Sequence, residues 1–215
     1  MSDSVLDKSF IEFRPTAWTE VLNSQAQLPG WVFRGQSRSD WNLTTTLERP
    51  YSRVAPVTTL RQCEKDILVR FKRGAHHFIA NPPGQKNTLE WLALIQHYGG
   101  PTRLLDLTRS FYVAAFFALE AAESDAAIWC LNTDLLQKTA TQVLLDSGIE
   151  EASSESIYEH FIDCDTDTCI TIAVEPYRLN ERLIAQQGLF VMPCSLQVDV
   201  ESCLFNTVCD PALAV

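Results

Sequence analysis

The chain has 215 residues, 46% of them hydrophobic and 20% charged, with a formal net charge of −10. That length and composition describe one globular domain, residues 1–215, with no apolar run reaching the roughly 18 residues of a membrane-spanning helix. The acidic balance argues against a general nucleic-acid binder, which needs a basic face to neutralise phosphates. The opening MSDSVLDKSFIEF shows no basic region followed by an apolar core, so no secretory signal is expected. Seven cysteines, odd in number and without CxxC or zinc-finger spacing, then read as reduced thiols of a cytoplasmic protein, and no metal site is expected.

In chain order, Phe10 to Phe13 reads as a short strand and a helix is expected from near Thr16, with Trp18, Val21 and Leu22 inward. Pro29 and Gly30 break it. Trp31-Val32-Phe33 is β-prone and is expected to stop at Arg34-Gly35-Gln36, where an arginine before a glycine can point its guanidinium into a pocket floored by close backbone. Water around an edge-strand arginine is the plainer alternative. Residues 37–56 are polar and irregular, with Trp41 expected over the core. Thr58 or Thr59 caps the clearest helix, whose apolar stripe is Leu60, Cys63, Ile67, Phe71, Ala75 and Phe78. His76 and His77 suit its C-terminal dipole end.

The stretch from Leu89 to Ala122 is the expected centre of the fold. Trp91, Leu94, Ile95 and Tyr98 fall at i, i+3, i+4 and i+7 of a helix, with Asn87 and Glu90 as a capping box. Gly99, Gly100 and Pro101 end it, Thr102 to Thr108 is a short buried strand, and the charge-free run Phe111 to Leu119 predicts a helix apolar all round and central. Gln96, His97, Arg103, Asp106, Thr108, Arg109 and Ser110 stand at the joints of this apolar unit. Groups so placed are structural hydrogen-bonders or a site, and an Arg103–Asp106 pair holding the turn is the structural version.

Beyond it, Ala126 to Leu131 predicts a strand, and Thr133 caps a helix through Leu145. Residues 146–167 form an acidic, serine-rich excursion. Asp163, Asp165 and Asp167 alternate as in a calcium loop but lack its glycine and distal glutamate, and Cys164 and Cys169 flank the excursion as structural thiols. Cys169 to Val174, Leu189 to Met192 and Ser195 to Val200 predict strands, Pro176 ends the first, and Asn180 to Gln187 leads through Gly188 into the second. The sum is an α+β fold of mixed, mostly antiparallel strands with packed helices. Residues 34–109 hold twelve Lys/Arg against six Asp/Glu, while residues 120–167 hold one against twelve. A locally positive cleft suits a small anionic ligand; a solvated imbalance accounts for the same numbers without one.

The pieces FRGQ at 33–36, QHYGGPTRLLDLTRSFYVAAFFAL at 96–119 and NERLIAQQGLF at 180–190 together resemble the bacterial FRG domain family, whose members occur in bacteria and phages and sometimes in settings that suggest defence or toxin systems. A second resemblance is to ADP-ribosyltransferases of the Arg–Ser–Glu type, which implies an ADP-ribosyltransferase-like fold and NAD as substrate. In that pattern Arg34 is the early arginine, Ser110 follows the central strand, and Glu181 or Gln187 takes the place of the late glutamate. The same resemblance implies that Arg34, Gln36, His97, Tyr98, Arg103, Asp106, Thr108 and Gln186 contact the nucleotide, with Tyr98, Phe111 or Tyr112 stacking on nicotinamide. If glutamine fills the glutamate's place, a ribose contact survives while help from a general base is lost. The acceptor is then a protein or nucleic acid, and no membrane is involved. The rival readings are a non-catalytic nucleotide- or protein-sensing module and a nuclease-type hydrolase using Asp106 and His97. The absence of GxGxxG and GxxxxGK removes the Rossmann and P-loop classes.

Overall fold

A computed structural model describes residues 11–50, 58–146, 148, 161, 168–178 and 180–208. Five strands, β1 (Trp31–Gln36), β2 (Leu105–Thr108), β3 (Ala127–Asn132), β4 (Thr171–Val174) and β5 (Gly188–Pro193), form one sheet in the order β3-β1-β2-β5-β4. Every neighbouring pair is antiparallel. Around it lie α1 (Trp18–Gln25), α2 (Thr58–Gly74), α3 (Thr88–His97), α4 (Phe111–Leu119), α5 (Thr133–Asp146), α6 (Glu181–Ala185) and α7 (Val200–Val208). No described helix is long and apolar enough to cross a membrane. The α+β class with antiparallel strands is as the sequence predicts.

Alternation along the strands divides the core between the two faces of the sheet. Leu105 and Leu107 of β2 and Leu189 and Val191 of β5 join Val32, Leu43, Val200 and Leu204 in one cluster. Phe190 and Met192, on the other face, pack with Leu89, Leu92 and Ala93 of α3 and Leu183 of α6. α5 contributes Leu136 to the first cluster and Ala140 to the second. At the β1 end, Phe33 meets Phe111, Ala114 and Ala115 of α4. Since Phe33 pairs with Thr108 and Asp106 with Phe190, these residues share a face. α4 covers that face over β1, α3 and α6 cover it over β5, and β2 runs between them.

Several local expectations give way to tertiary packing. Residues 11–15 are irregular rather than a strand, with Ile11 and Phe13 exposed; Phe10 lies outside the described residues. β1 continues through Arg34 to Gln36 because its whole length pairs with β3. Trp41 is half-exposed, and Leu43 and Leu47 fill the core in its place. Asn87 makes no side-chain cap, and Glu90 instead turns inward to accept the Arg178 amide. Asn132, not Thr133, caps α5, its Oδ1 accepting the amides of Asp134 and Leu135. Phe78 and Tyr98 are expected on inward stripes, yet both are half-exposed.

Two departures are larger. Ser195 to Val200 is not a strand: the chain leads into α7, whose inward Val200, Cys203, Leu204 and Thr207 follow helical spacing. α4 is apolar all round but not buried all round. Phe111, Ala114, Ala115 and Ala118 face β1, while Tyr112, Phe116 and Leu119 are each more than half exposed. The Thr58 and Thr59 side chains, the Asp163–Asp167 alternation, Cys164 and nearly all of the 146–167 excursion lie outside the described residues.

Gly35 lets α4 settle on β1. A Cβ there would stand 2.6 Å from the Ala118 amide nitrogen and 2.9 Å from the Ala114 carbonyl carbon, so backbone would have to move. Gly30 poses the opposite case, a left-handed φ of 80° in open space. Gly35→Ala is expected to cost well above the roughly 1–2 kcal/mol that left-handed strain assigns to Gly30→Ala, as urea midpoints of the two variants will show.

The loop before α2 is stitched to α7 by two carboxylates. Glu48 accepts the amides of Thr45 (2.6 Å) and Val200 (2.9 Å), and Glu201 accepts that of Leu43 (2.9 Å). Burial pushes the Glu48 carboxyl above its ordinary 4.5, against the lowering effect of those amides. The folded state therefore holds the proton after the unfolded state has released it, and stability falls as pH rises from about 4.5 through the raised value. Glu48→Gln is expected to lose less stability than the wild type over that rise, measured as the difference between their unfolding free energies against pH.

Candidate functional site at the β2 strand

The turn from α3 into β2 sets the site. Gly99 adopts φ of 80°, and at Gly100 a Cβ would stand 2.6 Å from Ile95 Cγ2, so the chain reverses tightly and leaves the end of α3 over Asp106. A cavity of about 10 Å³ opens there between α3, β2 and α6, lined by Ala93, Gln96, His97, Asp106, Asn180 and Arg182 among others. Gln96 Oε1 accepts from Thr102 Oγ1, while its Nε2 is buried with no hydrogen-bond partner among the described residues. Asn180 Oδ1 is occupied in capping α6 through the Leu183 amide at 2.8 Å. His97 and Arg182 are exposed at the rim.

Arg34 reaches the same strand from β1. The two strands share one paired position, Phe33 with Thr108, and Arg34 Nη1 donates to the Asp106 carbonyl at 2.7 Å. Its Nε is buried without a partner among the described residues. Burial lowers the guanidinium from its usual range, the Asp106 charge opposes that, and Arg49 adds to it; arginine nonetheless stays protonated in proteins.

Most of the other expected site residues spend their polar atoms inside the fold. Thr108 Oγ1 donates to the Gln186 carbonyl (2.6 Å) and accepts from the Ser110 amide (2.9 Å). The Arg109 amide donates to the Gln187 carbonyl (3.0 Å), and its guanidinium pairs with Glu175. The 186–187 turn is thus tied by its backbone to the end of β2. Ser110 Oγ caps α4 by accepting the Val113 amide. Gln36 is buried between the Trp129 indole, which donates to Oε1 at 2.6 Å, and the Asn42 carbonyl. The Gln187 side chain is exposed, on a backbone with φ of 48°. Glu181 is exposed at the first position of α6. Tyr98, also exposed, stands in a run of rings with His97 and Phe78, each 5.2 Å away. Gln96, His97 and Asp106 therefore line one cavity, with Gln186 and Gln187 tied to the end of β2; Arg34 holds the Asp106 carbonyl but is not in the lining, and Gln36 and Ser110 face elsewhere.

The expected Arg103–Asp106 pair does not form. Arg103 Nε lies 2.9 and 3.0 Å from the two carboxylate oxygens of Glu64, its Nη2 meets the same carboxylate, and Nη1 reaches the Pro193 carbonyl at 3.5 Å. Both residues are buried. Glu64 sits four residues after Leu60 and three before Ile67, on the apolar stripe of α2, and that position was the available signal for an inward carboxylate. Asn180 and Arg182, which line the cavity, carried no signal beyond their place in NERLIAQQGLF. Among the described residues no group of three His, Cys, Asp or Glu side chains is placed to hold a metal ion.

The FRG domain family model matches residues 29–127, a segment that holds β1, the α3–β2 turn and α4 but not NERLIAQQGLF. No curated protein and no solved structure matches the chain.

Removing one member of a buried ion pair leaves the other charged and unpaired, so Glu64→Ala is expected to cost about 3–5 kcal/mol. Asp106→Ala, at a half-buried position whose side chain faces the cavity, is expected to cost nearer ~1 kcal/mol. Chemical denaturation of the two variants measures both.

Proposed function

We propose, on the premise that this chain carries an FRG domain, that it binds a nucleotide at the β2 site, with NAD the candidate and an ADP-ribosyltransferase or NAD glycohydrolase activity the candidate chemistry. The observation that carries the reading is a buried donor in the cavity lining without an acceptor among the described residues, Gln96 Nε2; a second such donor, Arg34 Nε, belongs to the guanidinium that holds the Asp106 carbonyl. A buried donor left unsatisfied costs about 1–3 kcal/mol, and a ligand rich in oxygen acceptors relieves that cost. The cavity is water-sized, so only a polar tip of the ligand enters it. The remainder lies over the open rim, where Arg182 and His97 meet phosphate or ribose and the exposed Tyr98 ring offers a stacking surface.

Cleavage of NAD breaks the bond between ribose C1′ and nicotinamide, the electron pair leaving with nicotinamide, and positive charge develops on the ribose as in glycoside cleavage. Glu181 is the carboxylate best placed in sequence to meet that charge, and Gln187, beside it after α6, holds a hydroxyl without acting as a base. The acceptor oxygen, from water or a target molecule, forms the new bond at C1′ and releases its proton. An ADP-ribosyltransferase-like activity of this kind would suit the toxin and defence settings that the family resemblance implies.

One observation favours a second reading, a sensing module without turnover. Arg34 Nη1, Thr108 and Ser110, which the transferase reading wants for the ligand, are hydrogen-bonded within the protein. The wild type is expected to show a raised melting temperature with NAD, and Arg182→Ala and His97→Ala are expected to lose that rise while leaving the unliganded melt within about 0.5 kcal/mol of wild type. Nicotinamide release that disappears in Glu181→Gln supports the enzyme; stabilisation without release supports the sensor. No stabilisation by NAD, ADP-ribose or any other nucleotide overturns the nucleotide reading.

A further inference from the structure

Three thiols meet beside β4, none of them in the lining of the Asp106 cavity. Cys169, just before β4, has its Sγ 3.4 Å from Cys203 Sγ on α7. Cys194 is brought alongside by its amide, which donates to the Ile170 carbonyl at 2.8 Å. The three differ in surroundings. Cys203 and Cys194 are buried, while Cys169 is partly exposed and accepts from Asn206 Nδ2 at 2.9 Å. The Asn206 amide orients that sulfur, and partial exposure gives a solute access to it. One accessible sulfur with a donor, touching one sheltered sulfur, is the arrangement of an attacking and a resolving thiol.

We propose that Cys169 and Cys203 are an oxidisable dithiol, a modification site that takes a peroxide through Cys169 and closes to a disulfide. The Cys169 thiolate attacks one peroxide oxygen, the O–O bond breaks, and the departing oxygen leaves with the electron pair and takes up a proton, giving a sulfenic acid on Cys169. Cys203 loses its proton as its sulfur attacks the Cys169 sulfur; the S–O bond breaks and water leaves. Two electrons pass from the two sulfurs to the peroxide, and two thiols become one disulfide. Burial pushes the Cys203 thiol up, with Cys169 beside it acting the same way, so Cys203 does not compete as the first nucleophile.

The consequence follows from what the bond encloses. Cys169 and Cys203 are 34 positions apart, and the loop they would close contains β4, α6 and β5, including Asn180, Arg182 and the 186–187 turn tied to β2. Oxidation would fasten the segment before the edge strand β4 to α7 and close that whole unit into one covalent loop. The inference does not depend on the nucleotide reading.

The test uses the full chain, reduced, then exposed to hydrogen peroxide under native conditions, alkylated and mapped by peptide mass. The expected result is a Cys169–Cys203 linked peptide two hydrogens lighter than its parts. It should come with a melting temperature raised by about 5–10 °C and returned by dithiothreitol. Cys169→Ser, at the partly exposed position, is expected to fold and to show neither change, and Cys130→Ser is expected to show both. A link from Cys169 to any other cysteine, oxidation of Cys169 to sulfinic acid without a link, or both thiols still open to alkylation after peroxide would overturn the proposal.

Discussion

The buried ion pair between Arg103 and Glu64 is the constraint on which the rest of this structure depends. Two charges withdrawn from water are tolerated only when their geometry is good and their remaining hydrogen-bonding capacity is met. Here Nε and Nη2 face one carboxylate and Nη1 turns to the Pro193 carbonyl. The pair joins the middle of α2, the entry to β2 and the end of β5, three segments with no reason of their own to meet. It also settles what Arg103 is for. A guanidinium so engaged does not serve a ligand, and Asp106, relieved of it, faces the cavity.

The second constraint is the closeness of α4 to β1. Gly35 lets the backbones of Ala114 and Ala118 come down on the strand, and Ser110 and Thr108 then fix the start of the helix and the end of β2 by hydrogen bonds to main-chain groups. Backbone groups buried at element joints must find partners, and short polar side chains are the nearest available. Residues of this kind read as catalytic from sequence because catalysis uses the same side chains at the same joints. In this molecule Thr108, Ser110 and Gln36 hold the frame, and among the described residues the buried donors left unmatched are Gln96 Nε2 and Arg34 Nε.

What the sequence by itself determined is everything that local periodicity and turn chemistry control. The five strands, five of the helices, the break at Gly99 to Pro101 and the antiparallel class are legible because φ/ψ preference and alternation act within a few residues. The joints where the site gathers were legible for the same reason, since polar residues at the ends of apolar elements stand out against the pattern. The tertiary structure alone decided which group meets which. Arg103 takes a carboxylate 39 positions away rather than one three positions on, because burial and fork geometry are properties of packed elements and not of spacing. Ser195 to Val200 alternates like a strand yet leads into α7, because Val200, Cys203, Leu204 and Thr207 bury one helical face in the core. α4 carries no charge yet shows a face to solvent, because a helix resting on the β1 side of a sheet buries only the side it rests on.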